Sequence, residues 1–145
     1  MTCTGVCEVV PIDLNFCETF PAALNWGNKS PFFADMPQRL ATAHLVISRS
    51  GATTVHEIAA AGRPAIFVPL AVHKDDQQAK NARLLTDSGA ALLVREGTDA
   101  AAKIASYLTQ ILDTSSDVPA MAALAREHAL LGAAEKLADL VEQEI

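Results

Sequence analysis

The sequence predicts an α/β fold in which a parallel sheet is flanked by helices. Three apolar runs have the length and residue types of buried strands, and they begin at Leu45, Ala65 and Ala91. Helical patterns stand between and after these runs, and strands that alternate with helices favour a parallel sheet with right-handed crossovers. Half of the 145 residues are apolar and 19% are charged, so the chain can bury the core of about one domain.

The predicted elements follow one another from residue 36 onward. A short helix at 36–43 has Asp35 as its predicted N-cap and Pro37 at its first position. The predicted strands are 45–48, 65–68 and 91–94, and the other predicted helices are 54–61, 76–86, 99–112, 121–130 and 134–141. Gly62 is expected to close the second helix, and Pro69 to stop the second strand. This order of elements is typical of a Rossmann-like sheet.

Residues 1–31 carry a weaker pattern and are left unassigned, as an irregular N-terminal segment. Residues 9–12, Val-Val-Pro-Ile, could form a strand, but Pro, Asn and Gly are scattered through the rest. The predicted domain therefore covers residues 32–145.

Charge and aromatic content disfavour a nucleic-acid partner. The net charge is −6 and only 5% of the residues are aromatic. The chain therefore offers little positive charge for phosphate contacts and few aromatic rings for base stacking. The charge is uneven, because residues 31–95 hold seven Lys/Arg against five Asp/Glu, whereas 96–145 hold three against nine. The basic middle segment suits an anionic ligand, and it equally suits the ordinary surface of an acidic protein.

The three cysteines lie near the start of the chain and predict no structural role. Cys3, Cys7 and Cys17 are odd in number, which favours reduced thiols in a cytoplasmic protein over a disulfide framework. Cys3 and Cys7 have metal-like spacing, but no second pair follows them. No signal peptide and no apolar run of membrane-spanning length is present. We therefore expect no metal, no cofactor and a cytoplasmic location.

The turn after the first predicted strand is the first candidate binding feature. A strand that ends in small residues and enters a helix aims free backbone N–H groups at one spot, which suits an anion such as phosphate. Gly51 would give this turn backbone freedom and let a ligand approach closely, or it would serve only as a strand-to-helix turn. Arg49 and Ser50 stand beside it, and Arg49 could neutralise a phosphate or pair with a carboxylate.

Glu57 has two competing interpretations. Thr53 or Thr54 is a suitable N-cap, and Thr54 with Glu57 forms a capping box in which the carboxylate bonds the N-cap amide. Alternatively, the carboxylate accepts hydrogen bonds from two ribose hydroxyls. His56 could contact a phosphate or a sugar, or it could be a half-exposed helix residue.

Gln77 and Gln78 open a helix after the second strand and its loop. An amide both donates and accepts hydrogen bonds, which suits recognition of sugar hydroxyls, although a solvated helix start has the same appearance. Asp75 and Asp76 fit first-turn acids that complement the helix dipole, and not a pair for acid–base chemistry. Ligands of parallel sheets lie beyond the carboxyl ends of the strands, where both loops are expected. Together these parts suggest a nucleotide-sugar site.

Taken together, these residues resemble the C-terminal, donor-binding domain of the MurG-type N-acetylglucosaminyltransferases, which have the GT-B fold. The resemblance runs from about residue 32 to the end and is most specific over 43–89. Its signature is Arg-Ser-Gly-Ala-x-Thr-Val-x-Glu-Ile-Ala-Ala-Ala-Gly-x-Pro-Ala at 49–65, then Phe-Val-Pro at 67–69 and His-Lys-Asp-x-Gln-Gln at 73–78.

The resemblance implies an activity and a set of binding residues. The family transfers N-acetylglucosamine from UDP-N-acetylglucosamine to a muramoyl-pentapeptide on undecaprenyl diphosphate, at the cytoplasmic face of the membrane. By resemblance, the backbone at Phe33 would hold the uracil and Glu57 the ribose. Gln77 and Gln78 would hold the sugar. The diphosphate would lie against the helix start formed by Ala52, Thr53, Thr54, Val55 and His56.

The resemblance covers only the donor half of a two-domain active site. The family's N-terminal domain supplies the acceptor site, the proposed base and the apolar membrane patch, and residues 1–30 do not match the glycine-rich loop that normally precedes the donor site. We therefore expect a partial domain that lacks its first strands, contacts lipid-linked substrate and membrane only through another domain, has no catalytic residue of its own and is inert alone.

Two alternatives stay open beside this interpretation. The chain could be a stand-alone UDP-sugar-binding subunit that needs a separate acceptor-binding partner, as in the two-part transferase of the dolichol pathway. It could also be a UDP-sugar epimerase, a class that shares the fold. Epimerases place an acid before the serine of this loop, and Arg49 in that position counts against them.

Overall fold

The computed structural model describes residues 9–11, 34–70, 75–113 and 117–143 of the chain. The strands in these ranges are β1 (Val9–Pro11), β2 (Leu45–Ser48), β3 (Ala65–Phe67) and β4 (Ala91–Leu93). The helices are α1 (Met36–Thr42), α2 (Ala52–Ala61), α3 (Gln77–Thr86), α4 (Ala100–Asp113), α5 (Asp117–Glu127) and α6 (Ala133–Gln143).

The sheet is parallel, and its strands lie in the order in which they occur along the chain, β1-β2-β3-β4. Val46 is opposite Ala65, and Ile66 is opposite Leu92. The possible strand at residues 9–12 is present as β1, which pairs with β2. Helices connect β2 to β3 and β3 to β4, as parallel neighbours require. The predicted α/β class with a parallel sheet is thus confirmed.

Strands β2 and β3 are buried along their whole length and on both faces, which is why they read as continuous apolar runs and not as alternating ones. On one face, residues such as Val46 and Phe67 pack with α1, α2, α3 and the end of α5. On the other face, Ile47 and Ile66 pack with α4 and the start of α5. The largest fully buried side chains are those of Phe67, Ile47, Ile58, Ile66, Leu85 and Ile104.

The helix ends lie within four residues of the predictions, and three of them coincide with the predictions. Helix α2 begins at Ala52, two residues before the predicted start, with Gly51 as its N-cap. Helix α5 begins four residues early, at Asp117, because Pro119 falls in its first turn, where a missing N–H costs no helical bond. The apolar period that located this helix begins only at Met121, which is its first buried residue.

Helix α6 is exposed along its whole length, and none of its residues is buried. Large apolar side chains stand exposed on it and just before it, at Leu130, Leu131, Leu137, Leu140 and Val141. Among the described residues, no helix combines the length and the apolar character needed to cross a bilayer. The structure therefore does expose apolar surface, and this surface lies on the last helix.

Gly62 ends α2 in the manner that the sequence predicts. Its φ of 61° lies in the left-handed region, and its N–H bonds the carbonyls of Ala59 and Ile58. A Cβ built at this position would collide with the side chain of Arg126 on α5. Both the turn and the close approach of α5 therefore require glycine here.

Gly62→Ala should lower the free energy of unfolding by roughly 1–3 kcal/mol, because alanine is strained at this φ and its methyl group meets Arg126. Denaturant unfolding of the 145-residue chain measures the change. The matched control is Gly97→Ala, since Gly97 has no positive φ and an added Cβ would come no closer than 3.4 Å to Asp99. Equal stability of Gly62→Ala and the parent chain would contradict this account. The double variant with Arg126→Ala should recover the part that comes from the collision.

Candidate functional site

The predicted binding segments meet at the carboxyl edge of the sheet, where β2, β3 and β4 end. The turn after β2 leads into α2, and the loop after β3 leads into α3. The two segments are joined directly, because the Asn81 side-chain amide of α3 donates to the Ser50 carbonyl at 3.1 Å. The structure thus brings residues 49–57 and 77–78 together. Phe33, predicted to hold a uracil, and the cysteines 3, 7 and 17 lie outside the described residues.

At the N-terminus of α2, the first backbone amides have no hydrogen-bond partner among the described residues. The first helical bond runs from the Val55 N–H to the Gly51 carbonyl at 3.0 Å, so the N–H groups of residues 51–54 have no acceptor within the helix. No side chain caps them, and Ala52 and Thr53 are exposed. The helix dipole adds partial positive charge at the same point. This end of α2 has the donors that an anion needs.

Two details of this turn correct the expectations from sequence. Gly51 has φ −62° and ψ 148°, an extended conformation open to any residue, so its backbone freedom is not used. Neither Thr53 nor Thr54 is the N-cap, because the helix has already begun at Ala52. Glycine serves as an N-cap without a side-chain hydrogen bond. The sequence therefore contains no polar N-cap residue that would indicate a helix start at Ala52. The capping-box interpretation of Glu57 is therefore excluded.

Glu57 is free to bind a ligand. It lies exposed in the second turn of α2, and it makes no hydrogen bond to any described residue. Its side chain lines a cavity of about 360 Å³ between α1 and α2. The other lining residues are Met36, Pro37, Leu40, Ala41, Ala60, Ala61 and Arg63. A carboxylate at the rim of a mainly apolar cavity can hold hydroxyl groups of a molecule whose ring lies within it.

The neighbours of Glu57 on the helix differ in what they can offer. His56 is exposed and accessible to a ligand. Val55 has a side chain that is 1% exposed and an N–H that is bonded to Gly51, so it has no free donor. Ser50 is fully buried, and its hydroxyl has no partner among the described residues.

The two glutamines at the start of α3 also differ. Gln78 is partly buried, and its side-chain oxygen accepts the Leu70 N–H at 2.9 Å, which leaves the amide NH₂ as a donor. Gln77 is exposed and makes no hydrogen bond to the described residues, so both of its polar atoms are available. Gln78 can thus donate to a hydroxyl, whereas Gln77 can donate or accept.

Arg49 connects the ends of three strands. From the end of β2, its Nη1 donates to the Val68 carbonyl after β3 at 3.0 Å, and its Nη2 pairs with Glu96 after β4 at 2.8 Å. The side chain is 16% exposed. Of the two interpretations left open by sequence, pairing with a carboxylate is the one observed. Its role beside a phosphate stays a prediction.

A second ion pair links α3 to the end of β4. Arg95 donates to both carboxylate oxygens of Asp76, at 2.6 and 2.7 Å. This hydrogen bonding lowers the pKa of Asp76 and raises that of Arg95. Sequence reasoning missed Asn81, Arg95 and Glu96. Asn81 was accessible to it, because it lies on the same helix face as Gln77 and Gln78 at spacings of four and three. Within the described ranges, no group of three or more His, Cys, Asp or Glu residues could hold a metal ion.

Comparison with known proteins places this geometry in a family. The glycosyltransferase family 28 C-terminal domain matches residues 16–143. Two curated relatives share the name UDP-N-acetylglucosamine--N-acetylmuramyl-(pentapeptide) pyrophosphoryl-undecaprenol N-acetylglucosamine transferase. The one from Phenylobacterium zucineum is 48% identical over 79% of this chain and 31% of its own length. The one from Methylobacterium radiotolerans is 47% identical over 92% and 37%.

A solved structure confirms the predicted GT-B fold. The crystal structure of MurG from Acinetobacter baumannii is 38% identical and superposes with a TM-score of 0.70, over 79% of this chain and 34% of that protein. The resemblance to the MurG-type donor domain is thereby confirmed as well. The chain spans about a third of the length of the curated relatives that it matches.

Arg49→Met should lower the free energy of unfolding by about 1–3 kcal/mol, because it removes the partly buried bond to Val68 and leaves Glu96 without this cation. Methionine keeps the apolar stem, so the loss reports the polar contacts. Thermal or denaturant unfolding measures it. The control is Lys103→Met, which breaks an exposed pair with Asp99 and should leave stability unchanged. If the two variants lost the same amount, Arg49 would not be a structural link.

Proposed function

The chain belongs to the glycosyltransferase family 28 C-terminal domain family, and from this premise we propose that it binds UDP-N-acetylglucosamine as the donor for transfer of N-acetylglucosamine to a lipid-linked muramoyl-pentapeptide. The two relatives above carry this substrate pair in their names. One observation carries the proposal. The unpaired amides at the start of α2 stand next to the glutamines of α3, in a contact fixed by the bond from Asn81 to Ser50.

The diphosphate is proposed to bind at the start of α2. Its oxygens would accept hydrogen bonds from the N–H groups of residues 51–54, with the helix dipole favouring the negative charge. Ala52, Thr53 and Thr54 take part through their backbone, which is why small residues suit these positions. Val55 contributes to the helix and not to the contact, since its N–H is already bonded.

The nucleoside is proposed to bind between α1 and α2. Glu57 would accept hydrogen bonds from the two ribose hydroxyls, and the cavity beside it supplies apolar walls from Met36, Pro37 and Leu40. Phe33, which lies outside the described residues, keeps its proposed role at the uracil. The sugar would then extend toward α3, where Gln77 and Gln78 offer hydrogen bonds to its hydroxyls.

The proposed reaction is displacement of UDP by an acceptor hydroxyl. Transfer needs a base that positions this hydroxyl against the anomeric carbon, and the negative charge that develops on UDP would be stabilised by the N-terminus of α2. Among the described residues we assign no such base. We propose that the acceptor site and the base belong to another domain or subunit, which works at the cytoplasmic face of the membrane.

Glu57→Gln should weaken binding of UDP-N-acetylglucosamine by roughly ten- to a hundredfold, because hydrogen bonds to a charged acceptor are worth about 1.5–3 kcal/mol. Isothermal titration of the 145-residue chain measures this. Glu142→Gln, on the exposed helix α6, is the matched control and should bind as the parent does. UDP-glucose should bind more weakly than UDP-N-acetylglucosamine. Equally weak heats in every titration would leave the site without support.

The 145-residue chain should bind donor and yet transfer no sugar. Incubation with UDP-N-acetylglucosamine and the lipid-linked muramoyl-pentapeptide should release no UDP above the rate without acceptor, since the base and the acceptor site are proposed to lie elsewhere. A coupled assay for UDP follows the reaction, and a full-length relative serves as the positive control. Multiple turnovers by residues 1–145 would refute the division of the site.

A further inference from the structure

We propose that the Arg95–Asp76 ion pair positions Gln77, and so sets the selectivity of the site for the donor's sugar without contributing to nucleotide binding. This inference rests on the proposed function, because it assigns a role within the same site. Both oxygens of Asp76 are held by the two terminal nitrogens of Arg95, at 2.6 and 2.7 Å. The pair ties the residue before α3 to a residue two positions after the end of β4.

The backbone at Asp76 is bent against its local preference. With φ 50° and ψ 34°, Asp76 has the only positive φ among the described residues other than glycine. Aspartate tolerates this left-handed conformation better than most residues, yet it persists only where surrounding contacts hold it. The bidentate pair is such a contact, because it fixes the plane of the carboxylate as well as its place.

The side chain of Asp76 also does not form the hydrogen bond that is usual for an N-cap aspartate. An N-cap aspartate ordinarily accepts a hydrogen bond from an amide of the first helical turn, but the side chain of Asp76 makes none. The carboxylate faces Arg95 instead. Asp76 thus adopts neither its preferred backbone conformation nor its usual N-cap hydrogen bond, and it contacts Arg95 instead. We infer that this contact determines how α3 begins.

Gln77 is the residue most dependent on this contact. Further along α3, Gln78 is held by Leu70, and Asn81 by Ser50. Gln77 has no such bond within the described chain, and it follows Asp76 directly. Its placement is thus inherited from the conformation of Asp76. The first hydrogen bond of the helix runs from the Lys80 N–H to the Asp76 carbonyl at 3.0 Å. The conformation of Asp76 therefore also determines the direction of the first turn of α3.

Exposure of the pair explains why its effect should appear in selectivity and not in folding. The side chains of Arg95 and Asp76 are 60% and 46% exposed, and ion pairs at such positions contribute little to stability. The phosphate-binding amides stand on α2, whose conformation rests on other contacts. Loss of the pair would therefore disturb the sugar contacts and leave the nucleotide contacts in place.

The test compares two ligands on each variant. Isothermal titration gives the Kd of UDP and of UDP-N-acetylglucosamine for the parent, Arg95→Ala, Arg95→Lys and Asp76→Asn. In Arg95→Ala and Asp76→Asn, we expect the Kd of UDP-N-acetylglucosamine to rise by roughly three- to tenfold while that of UDP stays within about twofold. Arg95→Lys keeps the charge without the bidentate geometry and should fall between. Lys103→Ala, which breaks another exposed pair, is the matched control.

Each outcome separates the two proposals. A change confined to UDP-N-acetylglucosamine supports the positioning role, provided that thermal unfolding of the variants matches the parent. An unchanged ratio of the two Kd values in Arg95→Ala overturns it, and so does an equal loss for both ligands, which would make the pair a general support of the site. If the parent chain binds neither ligand, the proposed function fails first and this inference with it.

Discussion

The candidate site depends on how the ends of three parallel strands are tied together. Parallel strands end at one edge of the sheet, and the backbone groups just after each strand have no partner in the regular hydrogen-bond ladder. In this protein, side chains form hydrogen bonds with those backbone groups. Arg49 reaches from β2 to the Val68 carbonyl, Gln78 accepts the Leu70 N–H after β3, and Asn81 donates to the Ser50 carbonyl after β2. Because α3 carries two of these contacts and also the glutamines proposed to bind the sugar, satisfying the backbone also fixes the geometry of the site.

Sequence predicted those parts of this arrangement that follow from local pattern. The apolar runs located three of the strands, Gly62 located the end of α2, and the two polar segments located the part of the sheet edge where the candidate site lies. The start of α2 was misplaced because Gly51 caps it without a side chain, so that the threonines downstream offered the stronger signal. Long-range partners could not be predicted in the same way. The partner of Arg49 stands 47 positions further along the chain, and nothing in either local sequence distinguishes Glu96 from other acids.

The proposed contacts divide the ligand between backbone and side chains. Backbone amides at the start of α2 would meet the diphosphate, which UDP-sugars share, and any residue that keeps the helix start can supply them. Side chains would meet the rest of the donor: Glu57 the ribose, which UDP-sugars share, and Gln77 and Gln78 the sugar, which distinguishes one donor from another. Affinity for the diphosphate should therefore tolerate substitution better than choice of sugar does.

The two ion pairs at this edge have different physical roles, although both join an arginine to a carboxylate. Arg49 is mostly buried and bonds a strand-end carbonyl, so its removal leaves a backbone group without a partner, which is costly. Arg95 and Asp76 are largely in water, where the same attraction is weak. A weak but bidentate contact can still select one backbone conformation over its neighbours, because it needs only to outweigh the small differences between them. Exposure therefore separates the arginine that stabilises the edge from the one that orients α3.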